Sequence, residues 1–161
     1  MKRTIMIISL FLIFRGIALA QFDSVHTITT DFERIEIIRL ASGKDILEGL
    51  YEAIDRLEIK NAIFLSGIGS VERYCYHVVS SRELPPLNEM TEAVAAMDIT
   101  SMQGYILEGR VHCHITFADE NSVVGGHLEP GTRTLTFAII TMGVLPDKLK
   151  LHLLDTYKEK N

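Results

Sequence analysis

Apolar and polar residues alternate with a period of two over most of this chain, and follow a helical period once. Glu33 to Leu40 carries Ile35, Ile37 and Ile38 among charged residues and reads as a strand. Ser42-Gly43-Lys44-Asp45 interrupts it and offers capping side chains. Leu47, Leu50, Ile54 and Leu57 then recur at steps of three and four, which predicts a helix over Asp45 to Leu57 with its acidic positions mostly in water. Ala62 to Leu65 is a short apolar strand. The glycines of Ser66-Gly67-Ile68-Gly69-Ser70 predict a turn into a second strand, VERYCYHVV. This GIG lacks the third glycine and the following helix of a dinucleotide-binding loop. Arg82 to Asn88, with Pro85-Pro86, is a loop. Val94 to Leu107, Val111 to Phe117, Val123 to Leu128 and Thr134 to Met142 are strand candidates. Leu149, Leu151 and Leu153 alternate with Lys148, Lys150 and His152, which predicts a last strand. One helix among six or more strands places the chain in the α+β class.

Composition narrows the picture. With 161 residues, 47% of them hydrophobic and 23% charged, the chain is long and apolar enough for one domain with a core, and disorder is excluded. Its net charge of −5 and isoelectric point of about 5.7 argue against a protein that coats nucleic acid by charge. At the N-terminus, Lys2 and Arg3 precede an apolar run to Phe14, and Ala18-Leu19-Ala20 forms a small-x-small cleavage pattern. Residues 1–20 therefore read as a secretory signal, with Arg15 as an atypical feature. Its removal takes away three cations and no acid, which lowers the net charge from −5 to −8. The expected location is periplasmic or secreted, and cytoplasmic if the segment is retained. The apolar run is shorter than the ~20 residues a bilayer requires, so no stable membrane anchor is expected. Residues 21–32 read as a leader, 33–154 as the domain and 155–161 as a tail. Cys75 and Cys113 form no metal or disulfide motif. They read as two buried thiols, although export would permit them to pair.

Chemistry concentrates in one stretch: His112-Cys113-His114, the turn Ala118-Asp119-Glu120-Asn121, Gly125-Gly126-His127, and Glu129. On a strand, His112 and His114 share a face and Cys113 points the other way. A hairpin centred between Glu120 and Asn121 pairs residues whose numbers sum to 241. His114 then faces His127, and His112 faces Glu129, all on one face. The paired glycines would allow close backbone approach beside them. Three imidazoles with a carboxylate or a water suit Zn²⁺ and similar divalent metals. Glu129 could be a fourth ligand, a partner that orients a histidine, or a base for bound water. A one-residue slip would move His127 to the other face, and the competing reading is a hydrogen-bonded polar cluster. No nucleophile constellation is present, since GIGS is not the GxSxG elbow. His26, His77 and His152 are scattered and read as ordinary histidines. Lys148 and Lys150 are too few for a nucleic-acid platform.

The segment GRVHCHITFADENSVVGGHLEPG resembles the signature of the plants-and-prokaryotes-conserved domain, termed PPC or PCC: an H-x-H strand, an acidic turn, and G-G-H-L followed by a glycine. His112, His114, Asp119, Gly125, Gly126, His127, Leu128 and Gly131 stand at those positions. RIEIIRLASGKDILEGLYEAI and NAIFLSGIGSVERYCYHV resemble the family's opening strands and helix. The resemblance spans about Glu33 to Met142. It implies a compact α+β domain with a curved, mainly antiparallel sheet, a homotrimer, and a metal site at the clustered histidines near a subunit boundary. Plant members join the domain to AT-hooks and act on chromatin, and bacterial relatives carry a DNA-binding label. This chain has no AT-hook and no basic patch. Three readings follow. The first is a non-catalytic trimeric binding module with a metal and an unidentified small ligand. The others are the DNA-binding regulator of the family label and a small metal-dependent hydrolase or lyase.

Overall fold

The computed structural model describes residues 25–155. The signal-like segment, the leader up to Ser24 and the tail beyond Asp155 lie outside the described residues. The order of elements is β1 (Arg34–Ala41), α1 (Ile46–Arg56), β2 (Asn61–Val79), β3 (Asn88–Leu107), β4 (Arg110–Ala118), β5 (Val123–Leu128), β6 (Arg133–Leu145) and a closing 3-10 helix (Leu151–Asp155). The strands form one antiparallel sheet in the order β1-β6-β2-β3-β4-β5. The end of β5 also returns to β2, where Tyr76 faces Leu128 and His77 faces His127. With 19 and 20 residues, β2 and β3 are long enough to serve different partners along their lengths. The α+β expectation holds only coarsely, because a single 11-residue helix accompanies six strands.

Helix α1 lies against one sheet face, and the main core fills the space between them. Ile46, Leu50, Ala53 and Ile54 bury against Ile38 and Leu40 of β1, Ile140, Met142 and Val144 of β6, and the inward residues of β4. Leu47 and Leu57 sit at the margin of this stripe, so the helix is rotated slightly from the face its leucines predict. Asp45 caps it: Oδ1 accepts from the Glu48 amide at 3.1 Å, and Oδ2 accepts from the Gly131 amide at 2.6 Å. One carboxylate thus satisfies a free helix amide and anchors the β5–β6 loop.

Two expectations are corrected. Ser66–Ser70 is not a turn, because β2 runs through it. Gly69 has φ +147°, and a Cβ there would run into the Phe137 carbonyl and the Ala138 backbone. The glycines thus mark close approach between strands, with register shifts on either side, rather than a chain reversal. The final leucine alternation forms a 3-10 turn instead of a strand. The Asn61 side-chain amide donates to the carbonyls of Pro146 and Leu149 at 3.3 and 3.1 Å and holds the chain in a bend. Leu151 then buries with Leu107 and Leu145 in a small second core. In addition, β3 starts six residues before its predicted Val94, in the polar run from Asn88 that pairs with the end of β2. Both cysteines are free and buried, and burial pushes the Cys113 thiol up to about 12.

Replacing Asp45 with alanine should cost roughly 2 to 3 kcal/mol, the sum of a lost cap and an orphaned loop amide. Chemical denaturation of the purified protein measures this as a lower midpoint with an unchanged slope.

Candidate metal centre

Strand β4 alternates without interruption. Val111, Cys113, Ile115 and Phe117 are buried in the core, which turns His112 and His114 to the opposite face of the sheet. The β4–β5 hairpin has the predicted register, with His114 opposite His127 and Ala118 opposite Val123. The turn itself sets this register. Asp119 Oδ1 accepts from the amides of Asn121 and Ser122 at 2.8 and 2.7 Å and from the Ser122 hydroxyl at 3.0 Å. The two amide bonds, then the hydroxyl, lower the Asp119 pKa. Gly125 and Gly126 allow β5 to lie tightly between its neighbours. A Cβ on the first would strike the Ile115 carbonyl, and a Cβ on the second would strike the His77 carbonyl.

His112, His114 and His127 each offer a ring nitrogen within 4.8 Å of the other two. Ring centroids lie 5.6 Å apart for His112 and His114, 4.9 Å for His112 and His127, and 5.5 Å for His114 and His127. Tetrahedral zinc with ~2.1 Å bonds holds its ligands ~3.4 Å apart, so the rings need draw in by only ~1 Å to fit one ion. His114 is exposed, and the other two are half-buried. Three neutral nitrogen donors with an open side match the donor chemistry of a divalent transition metal.

Glu129 does not face His112. The β4–β5 pairing ends at His114 and His127, and β5 then crosses to β2, where the Glu129 amide donates to the Cys75 carbonyl at 3.1 Å. Its carboxylate instead meets His77 Nδ1 at 2.5 Å. The His77 ring stacks on His127 with centroids 4.6 Å apart. The place beside His112 belongs to Asp155 of the 3-10 helix, whose Oδ2 lies 3.2 Å from His112 Nδ1 and also accepts from Arg110. A His112 that donates from Nδ1 keeps the Nε2 lone pair free. Sequence reasoning missed both residues. His77 sits among valines and tyrosines with no spacing signal, and Asp155 falls in the predicted tail. His26 lies in the N-terminal segment, beside an apolar pocket.

Burial and neighbouring imidazoles disfavour the charged forms of His127 and His114. Burial, followed by the nearby His112, His77 and His114, lowers His127 to about 4. Burial and the charges of His112 and His77 lower His114 as well. For Asp155, burial pulls upward, but hydrogen bonds and charge from His112 and Arg110 outweigh it and lower the pKa. Because the unfolded chain binds a proton at His127 near pH 6.5 and the folded chain does so only near 4, the contribution is complete above the unfolded value. It falls away as pH drops from about 6.5 to about 4. In metal-free protein, NMR titration should therefore find the His127 ring neutral at pH 5.5. Urea midpoints should decline over the same interval.

A model of the Plants and Prokaryotes Conserved (PCC) domain matches residues 28–146. No curated protein matches the sequence. Several solved structures share the fold. A plant- and prokaryote-conserved (PPC) protein from Pyrococcus horikoshii is 22% identical over 77% of this chain and 87% of its own, with a TM-score of 0.65. A metal-containing protein from Archaeoglobus fulgidus is 19% identical over 75% of this chain and 86% of its own, also at 0.65. A Ralstonia eutropha protein with a provisional DNA-binding label is 24% identical over 70% of this chain and 79% of its own, at 0.60.

Proposed function

Since the chain belongs to the Plants and Prokaryotes Conserved domain family, we propose that it is an exported, homotrimeric binding protein with one divalent metal, zinc by donor chemistry, held by His112, His114 and His127. The observation that carries this reading is the convergence of those three ring nitrogens within 4.8 Å on one sheet face. The metal-containing relative from Archaeoglobus supports it. Asp155 orients His112, and the Glu129–His77 pair backs His127, which confines each ring to a narrow range of positions. The metal itself supplies Lewis acidity and an anchor for an electron-rich ligand atom. The binding-module reading stands ahead of a hydrolase or lyase because Glu129, the candidate base for a bound water, is paired with His77.

Self-association is favoured by exposed apolar side chains on β1 and β2, including Ile35, Ile37, Leu65 and Ile68. The outer edge of β1 is also unpaired among the described residues. Direct DNA binding is disfavoured. Arg34, Lys44, Lys60, Arg73 and Arg110 each pair with a carboxylate, and the chain is acidic overall. Export follows from the N-terminal pattern, and among the described residues no helix is long and apolar enough to cross a membrane.

Elemental analysis combined with solution mass tests the core of this reading. The purified protein should hold one zinc per chain and sediment as a trimer. The His114→Ala variant should lose at least tenfold in zinc affinity. A metal-free monomer would refute both statements. Protein isolated from its native cell should begin at Gln21. Its binding to duplex DNA should be weak and disappear by physiological salt. Intact Met1 together with salt-resistant, sequence-selective binding would favour the regulator reading.

A further inference from the structure

An apolar pocket of about 270 Å³ lies between the N-terminal segment, the sheet and the closing 3-10 helix. It is lined by Ile28, Ile63, Tyr105, Leu145, Leu151 and Leu154 among others. It adjoins the histidine centre through one cross-strand pairing and one chain connection. Tyr105 is the cross-strand partner of His112, so both side chains rise from the same face of neighbouring strands. Leu154 directly precedes Asp155, the carboxylate on His112 Nδ1. Tyr105 and Leu154 remain 43% and 42% exposed, so the pocket keeps a wet apolar rim on the side that meets the histidines.

Charge determines what belongs at the other end. As metal ligands, three imidazoles bring no charge of their own. Among the described residues, the carboxylates of Glu129 and Asp155 are engaged, the first with His77 and the second with His112 and Arg110. A divalent ion held by three imidazoles keeps its full double charge and attracts an anionic oxygen donor to its open side. We infer that the site binds a small monocarboxylate with a short hydrocarbon tail, with the carboxylate at the histidine centre and the tail in the Tyr105–Leu154 pocket. This inference rests on the metal reading above. The volume lies just below the range of drug-sized sites, which fits a tail of roughly four to eight carbons.

Calorimetric titration of the full chain with acetate, butanoate, hexanoate and 1-hexanol tests it, with zinc content measured on every sample. In zinc-loaded protein, affinity should rise about two- to fourfold per added methylene from acetate to hexanoate. Hexanol should bind at least tenfold more weakly than hexanoate. Leu154→Ser and Tyr105→Ala should flatten the chain-length dependence without loss of zinc, because neither side chain is a ligand. Full zinc content with affinity independent of chain length would overturn this inference and leave the metal centre standing. Equal binding of hexanol and hexanoate would do the same. Absence of zinc from the wild-type protein would overturn both.

Discussion

The burial of four alternate residues on β4 is the constraint on which the site depends. Val111, Cys113, Ile115 and Phe117 are 7% exposed or less, and together they hold the strand's rotational setting against the core. Turning the strand over would bring His112 and His114 inward and expose four apolar side chains, at a cost of several kcal/mol. The core therefore aims the histidines. The Asp119 turn passes that setting to β5, because its three hydrogen bonds leave no freedom for a register slip that would move His127 to the other face.

Placing imidazoles this close creates an electrostatic cost, which the fold limits by lowering the pKa values of His114 and His127. Burial lowers His127, and each neighbouring ring lowers it further. The carboxylates are spaced to steady the rings from outside rather than to enter the cluster. Glu129 reaches this position because its loop is bound to β2. The buried Thr132 hydroxyl exchanges hydrogen bonds with the Cys75 backbone at 2.9 and 3.0 Å, and Asp45 holds Gly131 from the helix side. A helix cap on one side of the sheet thus contributes to the placement of a carboxylate on the other.

Much of this was legible in the residues. Strand β5 begins and ends where its pattern predicts, at Val123 and Leu128, and α1 differs from its prediction only at its capping residues. The hairpin arithmetic holds at all five β4–β5 pairs. Two of the readings that fail do so where glycine or leucine carries two meanings. Gly67 and Gly69 suit a tight turn as well as a crowded strand crossing, and only the proximity of β6 and Met102 decides between them. Alternating leucines near the C-terminus suit an edge strand, but Asn61, distant in sequence, bends that segment into a 3-10 turn.

The sequence alone determined what short-range physics controls: the period-two alternation that faces His112 and His114 together, the acidic turn that sets His127 opposite His114, the capped helix, and the acidic balance of the chain. The tertiary structure decided what depends on distant segments meeting. It brought β2 against β5, so that His77 stacks on His127 and takes Glu129 from its expected partner. It also folded the C-terminal helix back to set Asp155 on His112. Local patterns carry no information about those two contacts, since they join residues 52 and 43 positions apart through a sheet that closes only when the whole core has formed.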